Sequence, residues 1–272
     1  WRWVALTISV ILITASIFLV ATRGLNWGVD FVGGQQIRVS FAKPVDTGEL
    51  RNRLEALNVG DLTIQGMGDN RTVSIRIPLD GASNPIGKCL GSGTVPGVHD
   101  GQANKIASKV RAEIEKAYPG ANVGSVSSVS GKVGCELFSK GSLALTLAMA
   151  GIALFIWMRF EWQFGVGALV TLFHDVVLTF GFFALTQLQF DLNVIAAILT
   201  IIGYSLNDTI VVYDRIRENL RKYRKMEIAP LIDLSTNETL SRTVTTSLSL
   251  IITLAILLFV GPDTIFGFTA AM

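Results

Sequence analysis

The chain has 272 residues, two cysteines and a formal net charge of only +2, and half of its residues are hydrophobic. So small a charge gives no case for nucleic-acid binding, and the positive mean hydropathy argues against an ordinary soluble protein. Long polar stretches remain between the apolar ones, which excludes a pure helix bundle and predicts an integral membrane protein with one sizeable soluble part.

Trp1 to Thr22 is apolar over about 20 residues, the length of a spanning helix and too long for a typical signal-peptide core. No small-residue cleavage site closes it, so 1–22 is predicted to be an uncleaved signal anchor. The absence of an initiator Met leads us to expect a missing or trimmed N-terminal piece. Residues 23–139 then show mixed periodicity. Gln36–Phe41 and Arg71–Ile77 alternate as half-buried strands, and Thr47–Leu57 and Asn104–Tyr118 read as helices. Ile106, Val110, Ile114 and Ala117 share one face of the second helix. Ala121–Val133 is predicted to be a last strand, weakened by its serines. The order strand, helix, strand, strand, helix, strand predicts a small ferredoxin-like α+β domain.

Gly81–Gly101 is a Gly/Pro/Ser-rich loop inserted before the second helix. Its Gly91–Gly97 run superficially resembles a phosphate-binding loop but lacks the Gly-Lys-Ser/Thr ending, so it is read as plain loop. Cys89 and Cys135 both fall in this region. In an oxidising compartment they would close a loop of about 45 residues worth about 3–4 kcal/mol, with two unpaired thiols as the equal alternative. His99 stands without other ligands at metal spacing, so no metal is expected.

Residues 140–272 carry apolar segments at 141–158, 164–186, 192–213 and 243–260. With the first helix that makes five spans. Gly261-Pro262 turns the chain and Ile265–Phe268 reads as the opening of a sixth, so the bundle is expected to be incomplete here and the whole to be a polytopic α-helical membrane protein. The short link 159–162 and a basic loop at about 214–241 both follow even-numbered helices. Arg215, Arg217, Arg221, Lys222, Arg224 and Lys225 crowd that second loop, and the positive-inside rule assigns it to the cytoplasm. Residues 23–139 must then face outward. Trp1, Trp3, Trp157 and Trp162 mark span ends, where indoles favour the interface.

Polar groups inside the spans point to function. Thr171, Asp175 and Thr179 recur at helical spacing beside His174, and Thr200, Tyr204, Asn207 and Asp208 share a face in the next span. Arg242, Thr245, Thr246, Ser249 and Thr253 follow along the last. The hydroxyls alone read as interhelical packing. A carboxylate in lipid costs roughly 3 kcal/mol or more, so Asp208 is expected to work rather than to pack. It sits about 10 Å from the cytoplasmic end, within reach of an arginine entering from that end. An Asp208–Arg242 pair that forms when the acid is ionised and parts when it is protonated would be a two-state element coupled to protons. His174-Asp175, about 18–20 Å above the same edge, reads equally as a relay step or as a static pair.

Four segments resemble a known family. Trp27–Gly34, with Asp30, Phe31, Gly33 and Gly34, is similar to the G-x-D-F-T-G-G signature of the SecF family, with Val32 where the family has Thr. Gly203–Asn219 is similar to that family's fourth-helix signature, and His174-Asp175 and Arg242–Ser247 to its third and fifth helices. The resemblance covers essentially the whole chain. It implies a subunit that pairs with SecD, joins the SecYEG channel with YajC and YidC, and uses the proton-motive force to draw an unfolded polypeptide across the bacterial inner membrane into the periplasm. It also implies that Asn207 replaces the first carboxylate of a pair used by related resistance-nodulation-division pumps. Asp208 would then be the proton carrier, Arg242 its partner, and Asp30-Phe31 with Gly33-Gly34 a structural turn. Half of a small-molecule or lipid exporter of that superfamily, and a non-transporting scaffold for SecD, are the competing readings. No nucleophile with an oriented base, and no nucleotide or cofactor site, is expected.

Overall fold

The computed structural model describes residues 2–57, 62–67, 71–78, 89, 100–159 and 161–272. They form two compact units, one of Asn26–Ala144 with Gln189–Leu192, the other of Trp1–Leu25, Leu145–Leu188 and Asn193–Met272.

The first is an α+β unit. A four-residue helix α1 (Val29–Val32) leads into strand β1 (Gly34–Ser40), followed by α2 (Thr47–Glu55), β2 (Thr63–Met67), β3 (Thr72–Pro78), α3 (Asp100–Ala117) and β4 (Asn122–Val129). All pairings are antiparallel and the sheet order is β2-β3-β1-β4, so β1 and β2 run the same way with β3 between them. Period-two alternation divides the strands into two faces. Ile37, Val39, Val73, Ile75 and Ile77 point to one side and pack on Leu50 and Leu54 of α2 and Val110 and Ile114 of α3. Gln36, Ser74, Arg76, Thr63 and Gln65 take the other side, a polar face. Asp46 caps α2 by accepting the N–H of Gly48 at 2.9 Å, a contact worth about 1 kcal/mol.

The predicted strand 121–133 ends sooner than its sequence suggested. Ser130 accepts the N–H of Val133 through its hydroxyl and that of Gly134 through its carbonyl, which starts a helix. That helix, α4, runs Gly131–Arg159 and so begins well before its apolar stretch. Cys135 lies on this polar first part and is disulfide-bonded to Cys89. The loop expected over 81–101, with His99, lies outside the described residues apart from Cys89 and the first turn of α3.

The helical unit is built mainly of five helices, counted among the described residues, that are long and apolar enough to cross a membrane. They are α4, the N-terminal helix αN (Arg2–Arg23), α5 (Trp162–Thr186), α6 (Leu192–Lys222) and α7 (Ile228–Val260). After Gly261-Pro262 a short 3-10 turn and a helix at Phe266–Ala271 follow. Where αN meets α5, Ser16 is buried against Gly181 so closely that a Cβ there would overlap it, a small-residue contact that lets two backbones approach. Gln187 ends α5 in the left-handed conformation at φ 55° and bonds the carbonyls of Ala184 and Gly24.

The basic segment expected as a loop over 214–241 is helical except near residues 223–227. α6 overruns its apolar stretch and α7 starts before its own, because the two extensions brace each other. Asn219, 1% exposed, donates to Ser235 at 3.0 Å and to Glu238 at 2.8 Å. Arg215 binds Glu238 and Glu218, each at 2.6 Å.

Candidate functional site

Most hydroxyls in the polar stripes satisfy their own helices. Thr171, Thr179, Thr200, Thr245 and Thr253 each donate to the carbonyl four residues back, as Ser and Thr in apolar helices do. Two hydroxyls reach a carboxylate on a neighbouring helix. Ser205 of α6 donates to Asp175 Oδ2 of α5 at 2.5 Å, while Asp175 Oδ1 lies 3.0 Å from His174 Nδ1. Thr246 of α7 lies 3.5 Å from Asp208 Oδ1 of α6. That last contact is long, and Thr246 is also within 3.1 Å and 3.0 Å of the carbonyls of Arg242 and Thr243.

Asp175 is therefore tied to α6, the helix that carries Asp208. Ser205 and Asp208 are three residues apart on α6, neighbours on its surface. His174, Asp175 and Asp208 stand in this polar series with Ser205 and Thr246, neither of which was among the residues singled out from the sequence as functional. The signal for Ser205 was present in its spacing from Asp208, although serine at helical spacing is usually packing. Arg242 is exposed, one turn before Thr246, and no ion pair joins it to Asp208 among the described residues. Asn207 is likewise exposed. No group of three His, Cys, Asp or Glu side chains among the described residues could hold a metal ion.

The segment at Trp27–Gly34 makes a second arrangement, within the α+β unit. Gly28 N–H donates to Phe190 O at 2.7 Å, and Phe190 N–H to Asn26 O at 2.8 Å. The rings of Trp27, Phe31, Phe138 and Phe190 meet edge-on or tilted with centroids 5.3–6.2 Å apart. Asp30 Oδ2 accepts the N–H of Leu192, the first residue of α6, at 3.1 Å. The two glycines have φ of 78° and 135°, which L side chains rarely adopt. A Cβ on Gly134 would come within 2.8 Å of the Phe31 carbonyl, so α4 also needs its glycine here.

The polar face of the sheet meets the same segment. Gln36 donates to Ser74 at 2.7 Å and to Gln189 at 3.2 Å, and Asn26 to Gln65 at 3.3 Å. Arg76 donates to the Trp27 carbonyl, and burial lowers its guanidinium pKa from the ordinary value. Sequence alternation covered Gln36, Ser74 and Arg76 alone, and what they hold could not be read from it.

Comparison with known proteins agrees across the chain. A family model described as protein export membrane protein SecD/SecF, C-terminal, matches residues 109–272, and one for the SecD/SecF GG motif matches residues 18–45. The protein translocase subunit SecF of Vibrio alginolyticus is 41% identical over all of this chain and 81% of its own length. The Pseudomonas aeruginosa subunit of the same name is 37% identical over all of this chain and 82% of its own. The crystal structure of SecDF, a translocon-associated membrane protein from Thermus thermophilus, superposes with a TM-score of 0.83 at 30% identity, covering 99% of this chain and 34% of that longer one. With a matching family model over more than half its length and relatives this similar from end to end, the chain belongs to the SecD/SecF family of protein-export membrane proteins, on its SecF side.

Proposed function

We propose that this chain is the SecF-type subunit of a bacterial inner-membrane export machine, coupling the proton-motive force to late steps of protein translocation. The observation that carries the reading is the Asp175–Ser205 hydrogen bond beside the Asp208–Thr246 contact, polar groups joined across three membrane-spanning helices. A hydroxyl against a carboxylate is suited to proton exchange, since it donates to an ionised acid and accepts from a protonated one, and here each carboxylate has its own hydroxyl. Asp208 is the carrier in this proposal. Arg242 is its counter-charge in the ionised state, and His174-Asp175 with Asn207 shape the route. One charge moved through 100 mV supplies about 2.3 kcal/mol, enough to bias a conformational equilibrium.

The α+β unit is proposed to be ferredoxin-like and periplasmic. Its strand order β2-β3-β1-β4 and alternating helices support the first, and the basic 215–225 stretch, assigned to the cytoplasm, supports the second. The Cys89–Cys135 disulfide suits an oxidising compartment. SecD is the proposed direct partner, with SecYEG, YajC and YidC as the wider assembly and an unfolded polypeptide as cargo. Asp208→Asn and Arg242→Ala in inverted vesicles test the coupling. Both are expected to abolish export driven by an imposed proton gradient while assembly with SecD persists. Normal export by Asp208→Asn would reject the carrier.

A further inference from the structure

A cleft of about 690 Å³ opens at the charged end of the helical unit, lined by Arg159, Asp214, Arg217, Glu218, Arg221 and Lys222. Five of these six are on α6 at spacings of three and four, so they form one face of that helix, while Arg215 and Asn219 turn the other way to α7. Arg159 closes the cleft from the last turn of α4. The two acids are already engaged by arginines, Asp214 with Arg159 at 3.9 Å and Glu218 with Arg215 at 2.6 Å. The lining is cationic on balance, four basic groups to two acidic ones.

Its depth identifies the ligand class. Arg159 directly follows the apolar run 141–158, and the α6 face directly follows 192–213. Trp157, Met158 and Trp162 stand 69%, 81% and 66% exposed beside it, an apolar surface of the kind that lies in acyl chains. A soluble anion would meet the cations and leave these side chains unused. The geometry points to a binding site for an anionic phospholipid, its phosphate held by Arg217, Arg221 and Lys222 and its chains laid along the end of α4. Guanidinium pairs grip phosphate in a planar fork, and basic pockets between spanning helices on the cytoplasmic side are a recurrent lipid site.

The test uses the full-length protein with its SecD partner, extracted from vesicles of phosphatidylglycerol mixed with phosphatidylcholine. Retained lipid is counted by native mass spectrometry. R217Q/R221Q is expected to lower phosphatidylglycerol affinity about thirtyfold, the effect of two cationic contacts at a membrane surface. R217K/R221K should keep most of it, which separates charge from misfolding. R224Q/K225Q removes equal charge outside the cleft and should change nothing. Equal losses in that control would mean diffuse attraction to the basic edge and overturn the site. Displacement of the lipid by millimolar inorganic phosphate would overturn the role of the chains. Lipid retention unchanged in R217Q/R221Q, with Lys222 cross-linking to an acidic segment of the partner, would give the cleft to a protein instead.

Discussion

The carboxylate of Asp30 accepts the backbone N–H of Leu192 at 3.1 Å, so the short acidic turn before the first strand caps the helix that later carries Asp208. The first four N–H groups of a helix have no partner within it, and a carboxylate there also meets the positive end of the helix dipole. Asp30→Ala is expected to cost about 1 kcal/mol of stability and Asp30→Asn about half of that. Thermal unfolding of the purified complex measures both. Equal midpoints for Asp30→Ala and wild type would show that the contact contributes nothing.

Gly33 has φ 78° and ψ 161°, a region that side chains with a Cβ scarcely enter. Gly33→Ala is therefore expected to destabilise the α+β unit by about 1–3 kcal/mol. Gly151, inside α4 with open space around it, is the control. Gly151→Ala should be neutral or slightly stabilising. Hydrogen exchange of the sheet amides reads the difference.

Hydropathy alone located the five spans, and period-two alternation located β1 and β3, because burial in lipid or in a core leaves a direct imprint on residue type. The helical overruns left no such imprint. Residues 214–222 are mostly charged and 228–242 mix apolar with polar side chains, and their helicity rests on Asn219 meeting Ser235 and Arg215 meeting Glu238, pairings set by tertiary contact. For the same reason Asp208 could be chosen from its cost in lipid, whereas its neighbour Thr246 could not be told from the other back-bonded threonines of its helix. The partner expected from residue chemistry, Arg242, is exposed in this chain. Asp30 was legible as part of a turn, and its role at Leu192 only from the fold.

The Asn219 amide lies in the brace between α6 and α7 and donates to Ser235 and Glu238 of α7. Asn219→Ala leaves Ser235 and Glu238 short of a donor and is expected to cost about 1–3 kcal/mol. Asn219→Asp should cost more, since a second carboxylate would face Glu238. Limited proteolysis between residues 222 and 228 detects the loosened pair, and equal cleavage of Asn219→Asp and wild type would reject the brace.

The Cys89–Cys135 disulfide closes a separation of 46 residues. In the chain-entropy account such a closure stabilises by about 4 kcal/mol, so dithiothreitol or Cys135→Ser should lower the unfolding midpoint of the α+β unit by that order. The two treatments should not add. A further drop when Cys135→Ser is reduced would mean that the reagent acts elsewhere.

Ser205 separates a relay from a packing contact. Its hydroxyl links Asp175 to α6, and Ser205→Ala keeps the helix while removing that link. A hydrogen bond to a charged group is worth about 1.5–3 kcal/mol, so proton-driven export should slow about tenfold or more. Ser205→Thr, which restores a hydroxyl, should recover much of the rate, and Ser205→Cys little, because a thiol is a weak donor. Export rate against imposed proton gradient in inverted vesicles measures each, with assembly with SecD as the control for folding. If Ser205→Ala lowered stability but left the rate at saturating gradient unchanged, the bond would hold α5 to α6 and carry no proton.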